Sequence, residues 1–279
     1  MGERGSPLRV GVSGIFDFLT SRLSISSMNL FDLDGRVAVI TGASRGLGAA
    51  AARALGGAGA RVVLLGRHIE SLREQQRSLE QSGAEAFPVV CDMAEPEEIG
   101  RAVVSARERF GRIDILINNA GIIRRSAATD YSLEDWNAVL ETNLTGMFLI
   151  SQIVGREMIE RGSGKIINIA SLLSFSGGMN VIAYTASKSG VAGLTRGLSN
   201  EWARHGVNVN AIAPGYFHTD ATAALQSDPE RYRALLARIP AGRWGEPDDL
   251  AGTILFLASA ASDYVNGQII GVDGGWMAA

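Results

Sequence analysis

Seven short runs rich in β-branched and aliphatic residues recur along this chain, and helical stretches with start signals lie between them. The runs are Val37 to Thr41, Arg61 to Leu65, Ala86 to Cys91, Ile113 to Asn118, Lys165 to Ala170, Val207 to Ala213 and Gln268 to Val272. They read as buried strands. Helix starts are signalled by Pro96 ahead of Glu97 and Glu98, by Ser132 three residues before Asp135, and by Pro247 ahead of Asp248 and Asp249. Parallel strands need crossover connections, so strict alternation predicts an α/β fold: a single-domain, Rossmann-like, doubly wound parallel sheet with helices on both faces. Ligands of such sheets sit at the carboxyl ends of the strands.

A length of 279 residues fits one large domain of this kind. Residues 1–27 are poorly patterned and rich in Gly, Ser and Arg, so an N-terminal extension is expected there, with the domain over 28–279 and Met28 as its natural start. A targeting peptide is the competing account. Glu3 and Asp17 are unwelcome in one, and Gly14 interrupts the apolar stretch from Val10 to Leu19. The net charge of −3 supplies no basic footprint for nucleic acid. Every apolar run stops short of the roughly 18 residues that span a bilayer, so no membrane role is expected. Cys91 is alone, and His68, His205 and His218 lie at no metal-ligand spacing; a reducing, cytoplasmic compartment and no protein-bound metal follow.

The first strand runs into Thr41-Gly42-Ala43-Ser44-Arg45-Gly46-Leu47-Gly48, after which Ala49 to Leu55 reads as helix. Glycine at 42, 46 and 48 permits a tight turn and close approach to a pyrophosphate, met by amides at the helix N-terminus. The spacing differs from the general dinucleotide fingerprint, and glycines used only for helix-sheet packing are the plainer alternative. The second strand ends in Leu65-Gly66-Arg67, with no carboxylate to hold ribose hydroxyls and repel a 2′-phosphate. Arg67 and Arg45 can fork onto that phosphate, so NADP(H) is favoured and NAD(H) is the alternative; solvated surface arginines would explain both residues too. Asp92 and Met93, just past the third strand, are expected at the adenine, although Asp92 can equally cap the helix at Pro96. Asn118, Asn119, Ala120 and Gly121 suit a chain passing close beneath a cofactor.

At the other end of the cleft, a strand delivers Ser171, and Tyr184 and Lys188 follow one helical turn apart on one face. A phenol with pKa about 10 is a poor acid-base group near neutrality. The Lys188 ammonium is expected to lower it, with Ser171 holding the substrate oxygen and Lys188 also gripping the ribose. This is the equipment for moving a hydride between a nicotinamide and a hydroxyl or carbonyl carbon.

On these motifs the chain resembles the short-chain dehydrogenase/reductase family from about Leu33 to Trp276. The resemblance implies that Asn143 completes a tetrad with Ser171, Tyr184 and Lys188 by holding a water. It also implies that Pro214, Gly215 and Thr219 meet the nicotinamide carboxamide, and that the assembly is a homotetramer. Three stretches, NNAGIIRR from Asn118, NIASLLSFSGG from Asn168 and RIPAGRWGE from Arg238, resemble the 2-deoxy-D-gluconate 3-dehydrogenases, also described as 2-dehydro-3-deoxy-D-gluconate 5-dehydrogenases. Gluconate 5-dehydrogenases share the tail SDYVNGQIIGVDGGW. Both groups act on sugar acids, so a carboxylate-binding side chain is wanted, and Arg124 and Arg125 are the candidates, with a solvent-facing pair as the alternative. The first group is usually described as using NAD, a departure from what Gly66-Arg67 suggests. Tyr216 and His218 are assigned either to substrate or to structure.

Overall fold

The computed structural model describes Met1 and residues 30–279. The expected extension over 1–27, its reading as a targeting peptide and the start at Met28 therefore lie, Met1 apart, outside the described residues.

The sheet has seven parallel strands in the order β3-β2-β1-β4-β5-β6-β7. They are β1 (Val37–Thr41), β2 (Arg61–Gly66), β3 (Ala86–Val90), β4 (Ile115–Asn118), β5 (Gly164–Ile169), β6 (Val207–Pro214) and β7 (Ile269–Val272). Every residue of β1 is buried. Ala38 and Ile40 enter one core with Val62, Leu64, Ile115 and Ile117, whereas Val37 and Val39 enter the opposite core with Val63, Leu65 and Leu116. A strand with helices on both faces has no side to expose, which is why these runs are continuously apolar. The edge strand β3 accommodates Pro88, whose missing N–H faces no neighbour on the outside.

β4 begins two residues later than expected, because Asp114 serves as a plug instead of a strand residue. Its amide donates to the Val37 carbonyl at 2.9 Å and its carboxylate accepts from the Val37 amide at 3.0 Å. Arg112 lies against the same buried carboxylate.

The main helices are α1 (Gly46–Gly57), α2 (Ile69–Gln81), α3 (Pro96–Phe110), α4 (Leu133–Leu140), α5 (Gly146–Arg161), α6 (Ile182–Trp202), α7 (Ala223–Gln226), α8 (Pro229–Leu236) and α9 (Ala251–Ala258). Pro96 occupies the first turn of α3, and Gly111 ends it in the left-handed conformation. The Ser132 hydroxyl caps α4 by accepting from the Asp135 amide at 3.1 Å. Pro247 opens a single 3₁₀ turn, Pro247–Leu250, that leads into α9.

Residues 133–161, with α4 and α5 joined through a π turn at Glu141–Thr145, form one helical run of 29 residues. That is long and apolar enough to cross a membrane, because helical continuity survives the polar interruptions that break the apolar run. Its Val139, Met147, Ile150, Val154 and Met158 are buried in the domain, the placement expected of a core helix.

Candidate active site

Between β1 and β4 the strand order reverses, and the crevice above their carboxyl ends receives the glycine turn. Gly42 and Gly46 take φ of +65° and +55°, a region costly for any residue with a Cβ. A Cβ on Gly48 would overlap the Gly42 carbonyl oxygen and stand 2.5 Å from the Asn119 amide nitrogen. Arg45, at the N-cap of α1, provides no side-chain acceptor for the first helix amides. Glycines at the points of closest approach, below open helix donors, fit a dinucleotide pyrophosphate.

The floor of the turn is held by Thr41, a residue the sequence reading passed over. Its Oγ1 accepts from the amides of Asn119 at 2.9 Å and Ala120 at 3.0 Å. Asn119 returns its side-chain amide to the carbonyls of Thr41 and Gly42, both at 3.0 Å. The two expected amides part ways, since Asn118 turns beneath the site to Ser151 at 2.8 Å and Asn168 at 2.9 Å. The signal for Thr41 was a hydroxyl ending the central strand, unreadable without knowing that β4 lies next to β1.

Arg67 follows β2 and lies 4.0 Å from Asp92, and Arg45 pairs with Asp220 at 2.8 Å. Asp92 does not cap the helix at Pro96. Glu95 holds that position, and Asp92 Oδ1 closes the preceding turn on the Ala94 amide at 3.0 Å. Met93 sends its side chain into the core beside Cys91. Ser44 and Leu47 are half-buried, Leu47 packing on the core under α1. Across the cleft β6 ends at Pro214, and Gly215 donates to the Val272 carbonyl at 2.9 Å. The Thr219 methyl stands 3.6 Å from where a Cβ of Gly46 would lie, so the glycine turn and the segment after β6 face each other.

Ser171 stands just past β5 and caps the 3₁₀ turn Leu172–Ser174. Ser174 accepts from the Ser171 amide at 3.3 Å and donates to the Lys188 carbonyl at 2.6 Å, bolting this loop to α6. Tyr184, in the first turn of α6, has its hydroxyl beside Ser171. The Lys188 ammonium lies 5.6 Å from the centre of the Tyr184 ring and donates to the Ile169 carbonyl at 2.6 Å. Lys188 is 2% exposed, and this burial pushes its pKa down to about 8.

Here the expected electrostatics are corrected. Burial raises the Tyr184 pKa in the ligand-free protein; the neighbouring Ser171 side chain and the Arg125 charge oppose the rise without reversing it. Lys188 faces the tyrosine ring and spends a donor on Ile169, so its charge is not aimed at the phenolic oxygen.

Asn143 is fully buried in the π turn. Its Oδ1 accepts from the Ile122 amide at 2.8 Å, and its Nδ2 donates to the Ile122 carbonyl at 2.9 Å and to Ser187 at 3.2 Å. With these bonds its side chain clips the Gly121–Ile122 loop to α6, and its Oδ1 keeps one lone pair beyond the bond to Ile122. The neighbouring arginines separate as well. Arg124 pairs with Asp135 at 3.2 Å, whereas Arg125 donates to the Ala221 carbonyl at 3.1 Å and its charge is felt at Tyr184.

The family described as Enoyl-(Acyl carrier protein) reductase matches residues 42–277. The chain is 52% identical over 247 residues to 2-dehydro-3-deoxy-D-gluconate 5-dehydrogenase of Bacillus subtilis, covering 88% of this chain and 96% of that one. The chain belongs to the short-chain dehydrogenase/reductase family. That membership makes it an oxidoreductase acting on CH–OH donors. A gluconate 5-dehydrogenase from Burkholderia cenocepacia, solved in complex with NADP and tartrate, is 45% identical with a TM-score of 0.87, the match covering 90% of this chain and 98% of that one. An Agrobacterium tumefaciens structure with bound NADP is 49% identical with a TM-score of 0.84, covering 90% and 100%.

In this dehydrogenase Tyr216 and His218 have structural partners. Tyr216 contacts the rings of Trp244 at 5.3 Å and Trp276 at 4.8 Å, and His218 meets Trp244 edge-on at 5.6 Å. Tyr232 of α8 stacks on Trp244 at 5.0 Å. This aromatic group holds the segment from 216 to 240 against the C-terminal end.

Proposed function

We propose that the chain oxidises a secondary alcohol, or reduces the corresponding ketone, of a sugar acid with NADP(H), in the manner of a 2-dehydro-3-deoxy-D-gluconate 5-dehydrogenase. The observation that carries this reading is Tyr184 set beside Ser171 and the buried Lys188 ammonium, in a fold whose glycine turn lies at the switch point. The relatives' names supply the substrate class.

When bound, the cofactor supplies or accepts the hydride. Tyr184 takes the hydroxyl proton during oxidation and returns it during reduction, while Ser171 donates to the same oxygen and fixes it. Lys188 would hold the ribose, and the buried Tyr184 phenol would be drawn down from its raised pKa beside the positive ring that an oxidised nicotinamide would supply. Asn143 keeps the loop beneath the ring in place through Ile122. Gly42, Ser44, Gly46, Leu47 and Gly48 receive the pyrophosphate on their backbone, Arg45 and Arg67 take the 2′-phosphate, and Asp92, with the Met93 backbone, borders the adenine. Asn119, Ala120 and Gly121 floor the ribose, and Pro214, Gly215 and Thr219 meet the carboxamide. Arg125 grips the substrate carboxylate; its neighbour Arg124 is dropped from that role, being turned to Asp135.

Two NADP-bound neighbours and the lack of a carboxylate at Gly66-Arg67 support NADP(H) over NAD(H). Gluconate 5-dehydrogenase activity is the second reading, favoured by the likeness to the Burkholderia enzyme. A homotetramer in the cytoplasm completes the proposal. It is supported by the exposed Val104 and Phe148 on α3 and α5, the free edge of β7 and the single buried thiol.

The test is an absorbance assay at the reduced-nicotinamide band with 2-dehydro-3-deoxy-D-gluconate, 2-deoxygluconate, gluconate and 5-ketogluconate, each with NADP(H) and NAD(H). Turnover of the first with NADP(H) is expected, and turnover of none of the four would sink the reading.

A further inference from the structure

The two arginines assigned to the cofactor phosphate each already face a carboxylate. Asp92, 4.0 Å from Arg67, is built into a turn through its bond to the Ala94 amide and belongs to the scaffold. Asp220 is different. It begins the turn Asp220–Thr222 after β6, is largely exposed, and among the described residues its carboxylate has no partner except Arg45, at 2.8 Å. The pair spans the cleft, tying the N-cap of α1 to the segment whose Thr219 stands against Gly46. The next residue, Ala221, receives Arg125 from the substrate side.

A guanidinium presents a limited fork of donors, and a carboxylate and a phosphate oxygen compete for the same geometry. We propose that Asp220 is a specificity-determining residue that competes with the cofactor's 2′-phosphate for Arg45. NADP must displace this carboxylate to recruit Arg45, whereas NAD binds with the pair intact. Asp220 therefore narrows the preference for NADP that the arginines create. The proposal rests on the reading of Arg45 as a phosphate ligand.

The exposure of both partners sets the scale. Exposed ion pairs are weak, so Asp220→Asn is expected to tighten NADP binding by about two- to five-fold. Calorimetric titration of the full chain with NADP and with NAD, in Asp220→Asn, Arg45→Ala and the double variant, reads the competition without turnover. NAD affinity should change far less than NADP affinity in Asp220→Asn, and Asp220→Glu should restore the wild-type ratio. The gain should vanish in the Arg45→Ala background. A gain that persists there would mean that Asp220 acts as a diffuse negative field, overturning the competition, as would an unchanged or weakened NADP affinity in the single variant. If Arg45→Ala itself leaves the NADP/NAD ratio unchanged, the phosphate role of Arg45 is wrong, a separate failure visible before Asp220 is considered.

Discussion

Replacing Lys188 with methionine should abolish turnover and, near neutral pH, make the protein more stable. The ammonium is held in a site where its pKa falls from 10.5 to about 8, through desolvation, and the side chain is 2% exposed. At about 1.36 kcal/mol for each pH unit of that difference, the charged lysine costs about 3 kcal/mol of stability wherever both states are protonated. Methionine matches its length and removes that cost, but it also removes the bond to the Ile169 carbonyl, about 1 to 2 kcal/mol with the acceptor left short of a partner. The net expectation at pH 7 is a gain of about 1 to 2 kcal/mol, or very roughly 2 to 8 °C in Tm.

The sign depends on pH. Between about 8 and 10.5 the unfolded chain binds more protons at this position than the folded one, so wild-type stability rises with pH through that window. By pH 10 less than about 1 kcal/mol of the penalty remains, and the lost hydrogen bond should bring Lys188→Met level with wild type or below it. Urea unfolding of both proteins at pH 7 and pH 10 measures the crossing. A stability difference independent of pH, or a variant clearly weaker at pH 7, would refute the idea that this lysine is kept charged at the expense of the fold.

Other expectations follow from the same geometry. Tyr184→Phe should lower kcat by about 10²- to 10⁴-fold while leaving the NADP dissociation constant within about twofold, measured by steady-state assay and titration. Arg125→Ala should raise KM for the sugar acid by about 10- to 100-fold, whereas Arg124→Ala should shift it by less than about threefold; equal effects would remove the distinction drawn from Asp135. Gly48→Ala forces a Cβ against the Gly42 carbonyl and should cost about 1 to 3 kcal/mol together with cofactor binding. Gly100→Ala, where a Cβ meets open space within α3, should instead stabilise by about 0.5 to 1 kcal/mol. Thermal melts of that pair separate steric conflict from helix propensity.

Much of the fold was legible along the chain. Continuous apolar runs marked strands buried on both faces, and Pro96 and Ser132 stand where helix starts require them, because each requirement is settled within three or four residues. The glycine turn and the one-turn spacing of Tyr184 and Lys188 were readable for the same reason.

What needed the tertiary structure depends on which distant group stands opposite. Thr41 becomes the floor of the turn only because β4 pairs with β1, and Asp114 replaces a strand residue only because Val37 lies beside it. Arg124 and Arg125 are adjacent in sequence yet are separated by the distant partner each meets, Asp135 and Ala221. The direction of the Tyr184 pKa is likewise a matter of burial and of where the ammonium points. Backbone conformation responds mainly to near neighbours in the chain, whereas desolvation and charge respond to whatever folding brings within a few ångströms.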